Sequence, residues 1–193
     1  MLIGITGLYC AGKNYVSILL ENRGIPVLDV DKLGHSVIDS KKSEIFALFG
    51  EDIKNPDGSV NRKLLGQIVF GNEKSLSDLE NIIHPEVNRL TEQWISSGTG
   101  EILAVNAALI HKSAVFRQLD RLIIVKAPFF TRMIRAKRRD KLPWAEIFRR
   151  LSNQKEFNAQ YLAGNADIYK VENFFFRSKK YLERKVDLVL SDL

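Results

Sequence analysis

Gly7, Gly12 and Lys13 stand at the spacing G-x-x-x-x-G-K within GITGLYCAGKN, residues 4–14. Glycines at those places let a strand-to-helix turn present successive backbone N–H groups to an anion. The helix start adds partial positive charge at the same spot. A lysine just past the second glycine can reach the β- and γ-phosphates of a nucleotide. The chemistry of such a turn is to hold a polyphosphate, and Gly7, Cys10, Ala11, Gly12, Lys13, Asn14 and Tyr15 are its expected binding set. One letter departs from the motif. Its last position is Ser or Thr, whose hydroxyl ligates magnesium, and this chain has Asn14. A carboxamide oxygen also ligates, but it is longer and differently placed, so Asn14 is expected to weaken magnesium binding. Cys10 reads as a small space-filler, with a reactive thiol as the alternative because a helix start follows it.

Asp29 and Asp31 form the second group. They close IPVLDVD (25–31), which reads as a strand. Ligands of parallel sheets lie beyond the carboxyl ends of the strands, where both carboxylates would sit. Either carboxylate could help hold a magnesium ion there, alongside phosphates and water. Asp31 would serve equally well as the N-cap of the next helix. The third group is basic. Arg135 and Arg139 are four apart, on one face of an expected helix that could close over phosphates. Arg132, Lys137, Arg138 and Arg149 are read as a solvated face.

Around these groups the chain alternates strands with helices. LIGIT (2–6), IPVLDVD (25–31), EILAVN (101–106), RLIIVK (121–126) and ADIYKV (166–171) are the expected strands. The third and fourth are almost continuously apolar, as strands buried on both faces tend to be. Helices are expected over 13–22, 31–39, 42–49, 61–70 and 72–83, the last two capped by Asn61 and Asn72. His84-Pro85 is expected to break that run before a further helix to Ser97, and a last helix covers 174–190. The pattern is α/β with a parallel sheet. The strandless stretch 40–97 reads as an insertion, in which Phe46, Phe49, Leu64, Leu65 and Phe70 are taken as core.

Bulk properties narrow the partners. Of 193 residues, 29 are Lys or Arg and 23 Asp or Glu, a formal charge of +6, which suits an anionic partner without choosing among anions. The single cysteine excludes an internal disulfide framework, and three scattered histidines show no metal-ligand spacing. No apolar run approaches the roughly 20 residues of a spanning helix. A cytoplasmic protein without membrane attachment is the expectation.

Five segments together resemble the dephospho-coenzyme A kinase family. GITGLYCAGK is similar to its G-x-T-G-G-x-G-x-G-K-S-T loop, and GIPVLDVDKLGH (24–35) to its G-x-x-V-I-D-A-D-x-x-A-R segment, with His35 for the arginine. DGSVNRKLLGQIVF (57–70) followed by IIHP (82–85) resembles D-G-x-L-D-R-x-x-L-x-x-x-V-F and its His-Pro pair. RAKRRDKLPWAEIFRRLSNQ (135–154) keeps Arg135, Arg139, Asp140, Leu142, Arg150 and Gln154 in register. ADIYKVEN (166–173) is similar to A-D-x-V-I-x-N, one residue longer. Departures fall at Asn14 and Tyr15, at Asn106 and Lys112 where the family's strand end is acidic, and at Asn88.

The resemblance implies a three-layer α/β/α P-loop fold with a helical substrate-binding insertion over 40–97 and a basic lid over 128–159. It implies transfer of the γ-phosphoryl group of ATP to the ribose 3′-hydroxyl of dephospho-CoA, with Mg2+. Lys13, Asp31 and Arg139 would be catalytic. Asp31, Arg62 and His84 would hold the acceptor, and Asn14 and Asp29 the metal. His84 has a bland alternative, which is to end its helix. Monomers or weak homo-oligomers are expected. Three other readings stay open: a weak or inactive nucleotide-binding relative, a P-loop kinase for another nucleotide or nucleoside, and a nucleic-acid module using the tract 132–150.

Overall fold

Short runs rich in β-branched residues form five strands: β1 (Leu2–Gly7), β2 (Val27–Asp29), β3 (Leu103–Asn106), β4 (Arg121–Lys126) and β5 (Asp167–Glu172). The computed structural model describes residues 1–152, 164–174 and 178–191. All strands are parallel, in the order β2-β3-β1-β4-β5. Every residue of β1 and β3 is buried, as central strands covered on both faces must be. Helix α1 (Lys13–Glu21) covers one face, and helix α8 (Lys179–Ser191) packs into the same core. Val16, Leu19 and Leu20 of α1 meet Ile3, Ile5, Ile123 and Val125 of the sheet with Leu182, Val186 and Val189 of α8. This arrangement sets the carboxyl ends of β1, β2 and β3 side by side, with the glycine turn following β1. The expected helix over 174–190 is found from Lys179 onward.

The second strand is shorter than expected. It ends at Asp29, and helix α2 (Val30–Ser40) begins at once, so Asp31 sits in the first turn of a helix and is neither a strand end nor an N-cap. A carboxylate in a first turn is favoured by the helix dipole, which explains the early start.

The chain forms two compact units, Met1–Asp29 with Gly98–Leu193 and Val30–Ser97. The second contains α2, α3 (Lys42–Phe49), α4 (Arg62–Val69) and α5 (Glu73–Ser97) around its own core of Ile45, Phe46, Ile53, Val60, Leu65, Val69 and Leu79. Asn61 caps α4 by accepting the Leu64 N–H at 3.1 Å, and Asn72 accepts the Ser75 N–H at 3.1 Å ahead of α5.

Two expectations fail in this unit. Helix α5 runs unbroken through Pro85. A proline forfeits one hydrogen bond, to the carbonyl four residues back, and both Pro85 and Asn81 face solvent, where water can take that bond. Leu79 before the proline and Val87 and Thr91 after it are buried, which holds the two halves in one helix. His84 therefore does not end a helix. Leu64 and Phe70 are not core. Phe70 is 79% exposed, because Leu65 and Val69, four apart, form the buried stripe of α4 and leave Leu64 and Phe70 outside it.

In the first unit, α6 (Phe129–Asp140) and α7 (Trp144–Ser152) share a small core of Ala136, Ile147 and Leu151, against which Tyr9 and Cys10 pack. Gln154 lies outside the described residues. Among those described, no helix is long and apolar enough to cross a membrane.

Candidate active site

The turn between β1 and α1 is built on two glycine positions that no other residue could fill. A Cβ on Gly7 would lie 2.6 Å from the Val125 carbonyl oxygen, so β1 and β4 close only over a bare backbone. Gly12 has φ +104°, and a Cβ there would lie 2.1 Å from Asn173 Nδ2. Gly12 is also the residue before α1, whose first residue is Lys13. A helix start with a lysine as its first residue thus follows directly on the turn after β1, a combination suited to an anion.

Cys10 is the exception to the turn's glycine logic. It adopts φ +60°, a left-handed conformation that costs a non-glycine residue about 1–2 kcal/mol. Half-burial pushes its thiol above the usual range and outweighs the lowering by Arg139, which favours the neutral thiol over the thiolate. Opposite outcomes are expected from two substitutions, read by urea denaturation. Cys10→Gly removes the strain but loses packing and loosens the unfolded chain, leaving stability within about 0.5 kcal/mol of the parent or above it. Cys10→Val, β-branched at positive φ, should cost about 2 kcal/mol. Equal losses in both would show that side-chain volume, not backbone, governs the position.

Behind the turn, α6 supplies a clamp. Arg135 donates through one terminal nitrogen to the Ala11 carbonyl at 3.1 Å and through the other to Asn173 Oδ1 at 2.9 Å. Asn173 Nδ2 donates to the same Ala11 carbonyl at 2.9 Å. Arg139 forms an ion pair with its neighbour Asp140 at 2.7 Å, and its guanidinium lies 5.0 Å from the Tyr9 ring centre. The Tyr9 hydroxyl donates to Asp140. The hydrogen-bonded Arg139 guanidinium, helped by the Tyr9 hydroxyl, holds the Asp140 carboxyl below the usual range, and burial with the same carboxylate pushes the Tyr9 phenol up. Arg135 and Arg139 thus both engage the turn's own residues in this structure.

The basic tract is only partly solvated. Arg132 is 7% exposed, with its guanidinium 5.9 Å from the Phe129 ring, which corrects its reading as a surface charge. Lys137 donates to the Leu142 carbonyl at 2.8 Å, and Arg150 pairs with Glu146 at 2.7 Å. The heads of Lys137 in α6 and Arg150 in α7 thus find a carbonyl and a carboxylate rather than water alone. Arg138 and Arg149 are exposed, as expected.

At the other side of the turn three predicted residues meet. Asp29 and Asn106 are register neighbours at the ends of β2 and β3, and Asn106 Nδ2 donates to Asn14 Oδ1 at 3.2 Å. Two of the departures from the family pattern are therefore one hydrogen-bonded pair. Asn106 is 1% exposed, and its Oδ1 is buried with no hydrogen-bond partner. A buried orphan acceptor beside an amide oxygen and a carboxylate is a set of hard oxygen donors, and such a set fits magnesium that keeps several of its waters. Among the described residues no cluster of three His, Cys, Asp or Glu could hold a metal by itself.

The remaining predicted residues belong to the second unit. Asp31 is exposed in α2, Arg62 is exposed as the first residue of α4, and His84 is half-buried midway along α5. Tyr15 lies in the first turn of α1. Sequence reasoning missed the parts played by Asn173 and Tyr9. Asn173 closes the stretch ADIYKVEN, which was the available signal, and Tyr9 carried none.

The family model described as CoaE, dephospho-CoA kinase, matches residues 1–169. The chain belongs to the dephospho-CoA kinase family. The dephospho-CoA kinase of Treponema denticola is 34% identical over 197 residues, covering 96% of this chain and 87% of that one. The crystal structure of TT1252 from Thermus thermophilus superposes with a TM-score of 0.83 at 29% identity, covering 100% of this chain and 97% of that one. A dephospho-CoA kinase from Campylobacter jejuni shares the fold, with a TM-score of 0.63 at 22% identity over 99% and 96% of the two chains. As a member of this kinase family, the chain has the expected parallel α/β fold of P-loop kinases, and the five-strand order above is its sheet.

Proposed function

We propose that this chain transfers the γ-phosphoryl group of ATP to the ribose 3′-hydroxyl of dephospho-CoA, giving coenzyme A and ADP. The observation that carries the reading is the turn itself: Gly7 and Gly12 at positions closed to any side chain, with Lys13 opening α1 directly beyond. Phosphoryl transfer needs little covalent help from a protein, and catalysis is chiefly positioning and charge. The amides from Gly7 to Asn14 hold the phosphates, and Lys13 places its ammonium on the β- and γ-oxygens. Asp31 accepts the proton of the acceptor hydroxyl, and Arg139 stabilises the transferring group. The insertion over 40–97 binds the acceptor, with Arg62 and His84 as its polar contacts. Magnesium, when bound, neutralises charge on the β- and γ-phosphates; Asn14 and Asp29, the latter through water, would hold it.

An acceptor screen tests the assignment. With ATP and magnesium, kcat/KM for dephospho-CoA should exceed that for deoxynucleosides, AMP or shikimate by about 100-fold or more. Comparable turnover of any of these would contradict it.

The neutral Asn14–Asn106 pair has a measurable consequence. A family pattern with a hydroxyl and a carboxylate carries one more negative charge here. Asn14→Ser is expected to lower the magnesium concentration giving half-maximal rate, and adding Asn106→Asp to lower it further, by about tenfold in total. Unchanged metal dependence in both would mean that neither side chain contributes to the metal site.

A further inference from the structure

We propose that Asn173 and Arg135 are positioning residues for phosphate binding, which together fix the Ala11–Gly12 peptide with its N–H aimed into the anion cradle. Ala11 is fully buried, and its carbonyl oxygen receives two donors, Asn173 Nδ2 at 2.9 Å and the Arg135 guanidinium at 3.1 Å. The second Arg135 nitrogen donates to Asn173 Oδ1 at 2.9 Å, so the three groups close a ring of hydrogen bonds. A guanidinium is suited to this because its fork spans two acceptors in one plane, and a charge-assisted bond is stronger than a neutral one.

The consequence follows from peptide geometry. Among the described residues there are no cis peptide bonds, and in a trans peptide the C=O and the following N–H point in opposite directions. Drawing the Ala11 carbonyl toward α6 and the end of β5 therefore turns the Gly12 N–H to the opposite side. Gly12 needs φ +104° for this, and a Cβ there would strike the Asn173 amide. Asn173 is itself fixed, because its N–H donates to the Lys126 carbonyl at 2.7 Å beside the end of β4. The clamp thus connects the rigid sheet, the helix α6 and one amide of the phosphate turn.

This inference rests on the reading of the turn as a phosphate cradle, and the test separates the two. Calorimetric titrations in magnesium use ADP and inorganic tripolyphosphate with the parent protein, Asn173→Ala and Arg135→Lys, each with a recorded melting temperature. Both variants should bind both probes about tenfold more weakly, the effect of one lost or misaimed charge-accepting hydrogen bond. Arg135→Lys keeps the charge but not the fork. Tripolyphosphate has neither base nor ribose, so a loss there cannot come from nucleoside contact. Unchanged tripolyphosphate affinity in the variants would overturn the clamp, and a loss confined to ADP would do so too, by making Asn173 a nucleoside contact. Should Asn173→Ala not fold, Arg135→Lys alone decides. A parent protein that binds neither probe would overturn the cradle reading and the clamp with it.

Discussion

Lys13→Ala should lower the rate of coenzyme A formation about a thousandfold or more, with no loss of folding stability. The size comes from the removal of a fixed positive charge at the transferring phosphate, where a single stabilising cation is worth about 10³–10⁵ in rate. Stability is spared because Lys13 is the first residue of α1 and alanine is the better helix former. The side chain also lies along the turn, its Cγ 3.3 Å from where a Cβ on Gly7 would stand, so truncation leaves space without dislodging the backbone. Steady-state kinetics and a melting curve on the same preparation read both halves of this expectation. Turnover within about threefold of the parent would mean that another group supplies the charge.

The second large effect is expected from Asp31→Asn. This exchange conserves volume, so α2 should persist with Asp31 replaced in its first turn. General-base catalysis contributes about 10²–10⁴ in rate. A fall in kcat of that order with KM for dephospho-CoA nearly unchanged would identify the carboxylate as the base. If Asp31 serves only the helix dipole, the variant should lose about 0.3–1 kcal/mol of stability and keep its kcat.

The sheet was legible because its strands are nearly pure apolar runs bounded by polar turns; LIGIT and RLIIVK could be little else. The glycine turn between β1 and α1 was legible because its glycines answer to backbone clashes, which leave a fixed spacing. Where the reading failed, a longer-range effect overruled a local one. Pro85 reads as a helix breaker, yet a solvent-facing carbonyl at Asn81 and buried residues on both sides keep α5 whole. Arg132 reads as a surface charge because a row of basic residues looks solvated, yet it is buried with its guanidinium over the Phe129 ring. Asp31 was placed on a strand because the apolar pattern of IPVLDVD continues through Val30, although the helix has already begun there. Asn14 and Asn106 were each seen as a departure, 92 positions apart; only the parallel register of β1, β2 and β3 shows that they are one hydrogen-bonded pair. Asn173 illustrates the same limit, since its partners Ala11 and Arg135 are distant in sequence.

The most direct measurement follows a label from donor to acceptor. Purified protein is mixed with magnesium, dephospho-CoA and ATP labelled in its γ-phosphate, and the products are separated. The account predicts that the label arrives on the ribose 3′-hydroxyl, in coenzyme A, with one ADP formed for each. Label that stays in ATP, or that is released only as inorganic phosphate, would contradict it.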